Sequence, residues 1–67
     1  MRTKELAEEY RRSAALLRGR IGELKEQISE AADKRERAEL ISRLLKLAGM
    51  WRDTRDIAEY LEGYYDI

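Results

Sequence analysis

The chain contains no cysteine, no histidine and no proline. Without cysteine there are no disulfides and no thiolate metal sites. Without histidine the usual general base and the commonest transition-metal ligand are missing. Without proline nothing obliges a helix to stop. No apolar run approaches the ~18 residues of a transmembrane helix. Met1-Arg2-Thr3-Lys4-Glu5 leads into charged residues rather than a signal-peptide core. The expected location is therefore the cytoplasm, with no membrane contact. Net charge is absent too: 14 basic and 14 acidic residues cancel, which removes any bulk attraction to nucleic acid or an anionic surface.

Charge itself is abundant, at 42% of 67 residues, so what is left for a core must be used with economy. A chain this short is one domain at most, spanning 1–67, and its core contributes only ~3–5 kcal/mol without staples or partners. The apolar residues fall into two stripes of helical period. In the second half Leu40, Leu44, Leu47, Trp51, Thr54, Ala58, Leu61 and Tyr65 recur in steps of four and three, the rhythm of a packed helical seam. In the first half the stripe reads Leu6, Tyr10, Ala14, Leu17, Ile21, Leu24, Ile28 and Ala31, with an extra step of four between Tyr10 and Ala14 that implies a local phase slip. Thr3 is the expected N-cap of the first helix, with Glu5 in its first turn. Gly19 and Gly22 lie inside the pattern. They mark either close backbone approach or tolerated weakness, at roughly 1 kcal/mol each against alanine.

No glycine or proline punctuates the middle of the chain. The best candidate for a turn is Ala31-Ala32-Asp33-Lys34-Arg35-Glu36, where Asp33 can cap a second helix and Glu36 stands at the capping-box position. The alternative is a single helix of roughly 60 residues, about 90 Å long. Size and charge favour the hairpin. A turn centred on Asp33 sets Trp51 against Ala14, with Ala15 beside it, and Tyr10 against Thr54 and Ala58. Large side chains then meet small ones, as close packing requires. Segment 23–33 is acidic where segment 34–46 is basic. Segment 10–22, with Arg11, Arg12, Arg18 and Arg20, has no acid where segment 53–67 is acidic. Such pairs choose an antiparallel neighbour more than they stabilise it. The stripe crosses Gly49 without losing phase, which favours a continuous second helix; a break at Gly49, with Asp53 or Thr54 capping a third helix, is the alternative.

The second helix is too apolar for one seam. Ile41, Leu45 and Ala48 form a second row, and Met50, Ile57 and Tyr64 stand seven apart. These six are the expected dimer face, since a wide exposed apolar surface marks an interface. The fold class is all-α: an antiparallel hairpin of two long helices, dimerising into a four-helix bundle.

Chemistry finds little purchase. Glu23, Glu26 and Glu30 share one helical side, as do Glu59 and Glu62, but they fall between apolar positions and read as solvated flanks. No phosphate loop or catalytic triad can be assembled, and Ser13, Ser29 and Ser42 have no histidine to activate them. The reading is a non-enzyme with no cofactor and no metal. Arg11, Arg12, Arg18 and Arg20 are the candidate contacts for a protein partner or a nucleic acid. The competing role for them is pairing with Asp56, Glu59 and Glu62. A bundle of two hairpins resembles, in architecture alone, small plasmid regulators that bind paired RNA hairpins. Tyr60, Tyr64 and Tyr65 near the C-terminus either close the bundle or serve recognition.

The run Lys4-Glu5-Leu6-Ala7-Glu8-Glu9-Tyr10-Arg11-Arg12-Ser13-Ala14-Ala15-Leu16-Leu17, within Arg2–Leu24, and the segment Glu59–Asp66 resemble a group of small uncharacterised helical proteins of Gram-positive bacteria. Members of that group often accompany mobile elements. The resemblance implies a regulatory or accessory role and carries over no catalytic or binding residue. Two expectations follow: a protein–protein interaction or regulatory module built as a self-associating bundle, or a small nucleic-acid-binding regulator using the stretch Arg11–Arg20.

Overall fold

The computed structural model describes residues 2–65, and the side chains of residues 2–63. Tyr64 and Tyr65 as side chains, and Asp66, lie outside the described residues. Two helices account for nearly all of the chain: α1, Arg2–Glu30, and α2, Lys34–Tyr65. They pack antiparallel, joined by Ala31-Ala32-Asp33, and the hairpin measures 51 × 14 × 14 Å. A single rod of the same chain would be about 90 Å long, so the one-helix alternative is excluded.

The loop explains why no glycine was needed. No described residue has a positive φ, so nothing in the loop demands a residue without a side chain. The Asp33 carboxylate accepts the backbone N–H of Arg35 at 3.3 Å, and the Asp33 carbonyl accepts that of Arg37 at 3.0 Å. Asp33 is thus the N-cap of α2, as its residue type favours. The reciprocal Glu36 bond of a capping box is not formed among the described residues. Instead Glu36 borders an open groove with Gln27, Glu30, Ala31 and Ala32. The end of α1, which has no basic residue in its last turn, is capped from outside. The Arg37 guanidinium of α2 donates to the Ala31 carbonyl at 3.0 Å, satisfying an acceptor that the helix leaves open.

Both stripes form the seam, with one change. Ala7 is buried to 3% exposure and Leu6 is 43% exposed. The α1 seam therefore runs Thr3, Ala7, Tyr10, Ala14, Leu17, Ile21, Leu24, Ile28, Ala31, an unbroken alternation of four and three. The phase slip expected near Tyr10 does not exist: it came from following the larger Leu6 past its smaller neighbour. Thr3 is half-buried within the first turn, not a cap, because α1 already starts at Arg2. α2 crosses Gly49 without a break. Thr54, the alternative cap of a third helix, donates its hydroxyl to the Met50 carbonyl one turn back, at 2.7 Å. That bond satisfies its polar atom within the helix and frees its methyl group for the seam.

Counting outward from the Ala31–Arg37 contact, seam positions pair as Ile28 with Leu40, Leu24 with Leu44, Ile21 with Leu47, Leu17 with Trp51, Ala14 with Thr54, Tyr10 with Ala58 and Ala7 with Leu61. The register differs slightly from that of a turn centred on Asp33, because the first contact between the helices joins Arg37 to Ala31, a pair centred on Lys34. Trp51 consequently sits level with Leu17, next to Ala14, and Ala15 is exposed. Large-against-small matching survives at Tyr10–Ala58 and Ala7–Leu61.

The core is thin. Among the described residues the buried ones are Ala7, Ala14, Leu24, Ala31 and Ala58, and Leu24 is the only one of these larger than alanine. Every other described large seam residue, Trp51 included, remains half-buried. Two helices touching along one line leave the far sides of such side chains in water.

Candidate interaction surfaces

A helical seam has two flanks, and the structure sorts the candidate residues between them. The first, the Arg55 flank, carries Arg11 and Arg18 of α1 beside Ile41, Leu45, Ala48, Arg52, Arg55, Glu59 and Glu62 of α2. The second, the Met50 flank, carries Leu6, Glu9, Leu16, Arg20, Glu23 and Gln27 of α1 beside Arg43, Lys46, Met50, Asp53, Ile57 and Tyr60 of α2. Each flank is anchored by an observed feature. Arg11 reaches Glu62 across the first, and Arg20, Glu23, Gln27 and Arg43 share an open groove with Leu24 and Leu47 on the second.

The stretch Arg11–Arg20 is therefore not one surface. Arg11 and Arg18 share a flank, seven residues apart. Arg12 points to the outer ridge of α1. Arg20 lies on the opposite flank. The expected pairing with Asp56, Glu59 and Glu62 is realised once: Arg11 donates to Glu62 through Nε at 2.5 Å and Nη2 at 3.3 Å. This forked contact has two effects. The hydrogen bond to Glu62 raises the Arg11 guanidinium above its ordinary value, with help from the Glu59 charge. The same bond holds the Glu62 carboxyl below the ordinary carboxylate range. Both side chains are 46% exposed, so salt screens the pair. Among the described residues Arg12, Arg18 and Arg20 make no ion pair.

Arg55 was missed by the sequence reading. Its guanidinium carbon lies 4.8 Å from the centre of the Trp51 ring, a cation–π geometry. It also pairs with Asp56 at 3.2 Å, and its Nε, buried without a hydrogen bond, lies 3.9 Å from Glu59. The signal was legible: Trp51 and Arg55 stand four apart on a helix, the spacing at which side chains meet. Near the loop the complementary charges of segments 23–33 and 34–46 form no cross-helix ion pair among the described residues. Arg35 pairs with Glu39 of its own helix at 3.9 Å.

The six residues expected to form one dimer face also divide. Ile41, Leu45 and Ala48 lie on the Arg55 flank, toward the loop. Met50 and Ile57 lie on the Met50 flank, toward the open end. The Tyr64 side chain is outside the described ones. Among the described residues seven large apolar side chains are exposed, and five of them, Leu6, Leu16, Met50, Ile57 and Tyr60, belong to the Met50 flank or its outer edge. Leu6, Leu16 and Tyr60 were not assigned to any interface from sequence. They become neighbours of Met50 and Ile57 only when the two helices are set in register.

Glu23, Glu26, Glu30, Glu59 and Glu62 are all exposed. Among the described residues no three carboxylates gather in a set that could hold a metal ion. No described helix is long and apolar enough to cross a membrane. Searches against known protein families, curated proteins and solved structures returned no match to this chain.

Proposed function

We propose that this chain is a non-enzymatic interaction or regulatory module of the cytoplasm, working as a homodimer of hairpins in a four-helix bundle that engages a protein partner. The observation that carries the reading is the poverty of the core beside the wealth of the surface. Among the described residues the hairpin buries four alanines and one leucine while Leu16, Leu45, Met50 and Tyr60 stay more than half exposed. Full burial of a side chain such as leucine or methionine is worth about 1.5–3 kcal/mol, so exposure on this scale forgoes more than the core supplies. A second hairpin recovers part of it. Light scattering over a concentration series, in low and moderate salt, tests this directly. A mass near twice that of the chain supports the proposal. A folded monomer at every concentration overturns self-association.

The resemblance to small proteins that accompany mobile elements supports a regulatory or accessory role in the same proposal. A second reading, a nucleic-acid-binding regulator, gains from the Arg55 flank. Arg11, Arg18, Arg52 and Arg55 follow one another along it, although Glu59 and Glu62 hold two of them. Retardation of RNA or DNA that falls steeply with added salt would favour that reading. No retardation at low salt would remove it.

A further inference from the structure

We infer that the loop-ward part of the Arg55 flank binds the phosphate backbone of a nucleic-acid duplex, without reading its bases. This rests on the second reading above, nucleic-acid binding, and gives it a site and a form of ligand. The cross-helix contact of Arg11 with Glu62 fixes the flank. Steps of seven from Arg11 lead to Arg18 and Lys25 on α1, and steps of seven from Glu62 lead to Arg55, Ala48, Ile41 and Lys34 on α2. Arg52 borders the α2 row, between Ala48 and Arg55.

The first observation is how charge is distributed. The carboxylates of this flank, Glu8, Glu59 and Glu62, all stand toward the open end, and Glu62 and Glu59 engage Arg11 and Arg55 there. From Arg18 to the loop the flank carries no acid. Arg18, Lys25, Lys34 and Arg52 are exposed on it, and among the described residues none of them makes an ion pair. Off the flank, Glu26 lies on the outer ridge of α1, and Asp33 is engaged in the α2 cap. Ile41 and Leu45 are the flank's exposed large apolar residues, while Ala15, Gly22 and Ala48 are small and let a bulky polyanion approach the cations. The Met50 flank, by contrast, mixes its signs: Glu23 lines the same groove as Arg20 and Arg43, with Glu30, Glu36 and Glu39 toward the loop. The second observation is a cost. At the register of Arg11 and Glu62, Arg18 stands across the seam from Arg55. Like charges so placed oppose the packing, and a glutamate at position 18 would have repeated the pairing seen at Arg11. An anionic ligand accounts for a cation kept there.

The form of the ligand follows from shape and residue type. The flank has no exposed aromatic ring on which an unpaired base could stack: Trp51 is half-buried under Arg55, and Tyr60 belongs to the other flank. The chain has no asparagine, and its one glutamine, Gln27, faces the groove of the Met50 flank, so no side-chain amide reads bases here. At 14 Å across its backbone the hairpin is wider than the ~12 Å major groove of B-form DNA. It lies across the backbone. Arg18 and Lys25 stand roughly 10 Å apart along α1, far enough to meet separate phosphates.

The test compares two variants of equal charge. One carries Arg18→Gln, Lys25→Gln, Lys34→Gln and Arg52→Gln. The control carries Arg12→Gln, Arg20→Gln, Arg43→Gln and Lys46→Gln, on the outer ridge and the Met50 flank. Helical content of both is checked by circular dichroism. The probes are a DNA duplex at least as long as the 51 Å hairpin, an RNA duplex of the same sequence, and one of the single strands. Wild type is expected to bind duplex more tightly than single strand, and the tighter duplex identifies the source of the backbone. For four phosphate contacts on B-form DNA, log affinity should fall against log salt with a slope of about −3.6. The flank variant should lose about tenfold or more in affinity and most of that slope, and the control should keep both. Arg18→Glu separates binding from folding: it should weaken binding while raising Tm by up to about 4–8 °C, through a new pair with Arg55. Equal losses in the two variants, or a preference for single strand, overturn this site and leave nucleic-acid binding standing. No retardation of any probe at low salt overturns both and returns the flank to a protein partner.

Discussion

Replacing Gly19, Gly22 and Gly49 together by alanine should make this protein markedly more stable. All three lie within helices, none has a positive φ, and a Cβ built at each meets no atom within 4 Å. No close backbone approach would be spoiled. What remains is the propensity difference, about 1 kcal/mol per site in an exposed helix interior, arising mainly from the freedom glycine keeps in the unfolded chain. The sites share no partner, so their effects should add to roughly 2–3 kcal/mol. In a domain of this size 1 kcal/mol moves Tm by about 4–8 °C, so the triple variant should melt on the order of 10–20 °C higher. The assay is a far-ultraviolet circular dichroism melt at matched protein concentrations, repeated at two concentrations because association shifts Tm by mass action. The gain should be the same at both, since Gly19 and Gly49 lie on the outer ridges and Gly22 among the cations of the Arg55 flank, which repel those of a second copy. A loss of stability, or a gain that vanishes at high concentration, would refute the reasoning. A second copy would then be using the space beside these glycines.

The loop gives a prediction of opposite sign. Asp33→Ala should cost about 1 kcal/mol by removing the N-cap of α2, and Arg37→Ala a comparable amount by leaving the Ala31 carbonyl without its charged donor. Both are read from chemical denaturation midpoints, and a neutral Asp33→Ala would mean that the cap is idle. The Arg11–Glu62 contact predicts a pH dependence. The Glu62 carboxyl is held below its ordinary value of 4.5, so its contribution is fully present above that pH. It disappears as pH falls through the lowered value. Glu62→Gln should therefore be less stable than wild type near neutrality and converge with it in acid. A difference that persists unchanged at low pH would show that the contact acts through packing instead.

The hairpin, its two seams and the Asp33 cap were legible because each rests on local rules: a four-three rhythm and a capping residue at the right distance. The continuity of α2 through Gly49 was legible from the same rhythm. Three things were not. Leu6 outranked Ala7 on hydrophobicity, yet the seam takes the alanine, because helix phase and space decide the position. The four arginines looked like one patch in the chain, but neighbours along a helix point to different sides. The two apolar rows of α2 looked like one face for the same reason. The surface formed by Leu6, Leu16, Met50, Ile57 and Tyr60 draws on both helices, so no reading of either alone could assemble it.

The short loop has a consequence for the integrity of the hairpin. The α1 seam ends at Ala31, and Arg37, which caps it, stands at the next seam position of α2, only six residues on. A continuous stripe would have placed its next members at three or four residues and at seven. If Ala31-Ala32-Asp33 joined the helix, the two stripes would emerge on nearly opposite sides of one rod. A straightened chain could then not lay both stripes along a single straight partner. Exchange of helices between copies, a common hazard where two long helices share a short connection, is opposed here by phase alone, without any residue devoted to preventing it.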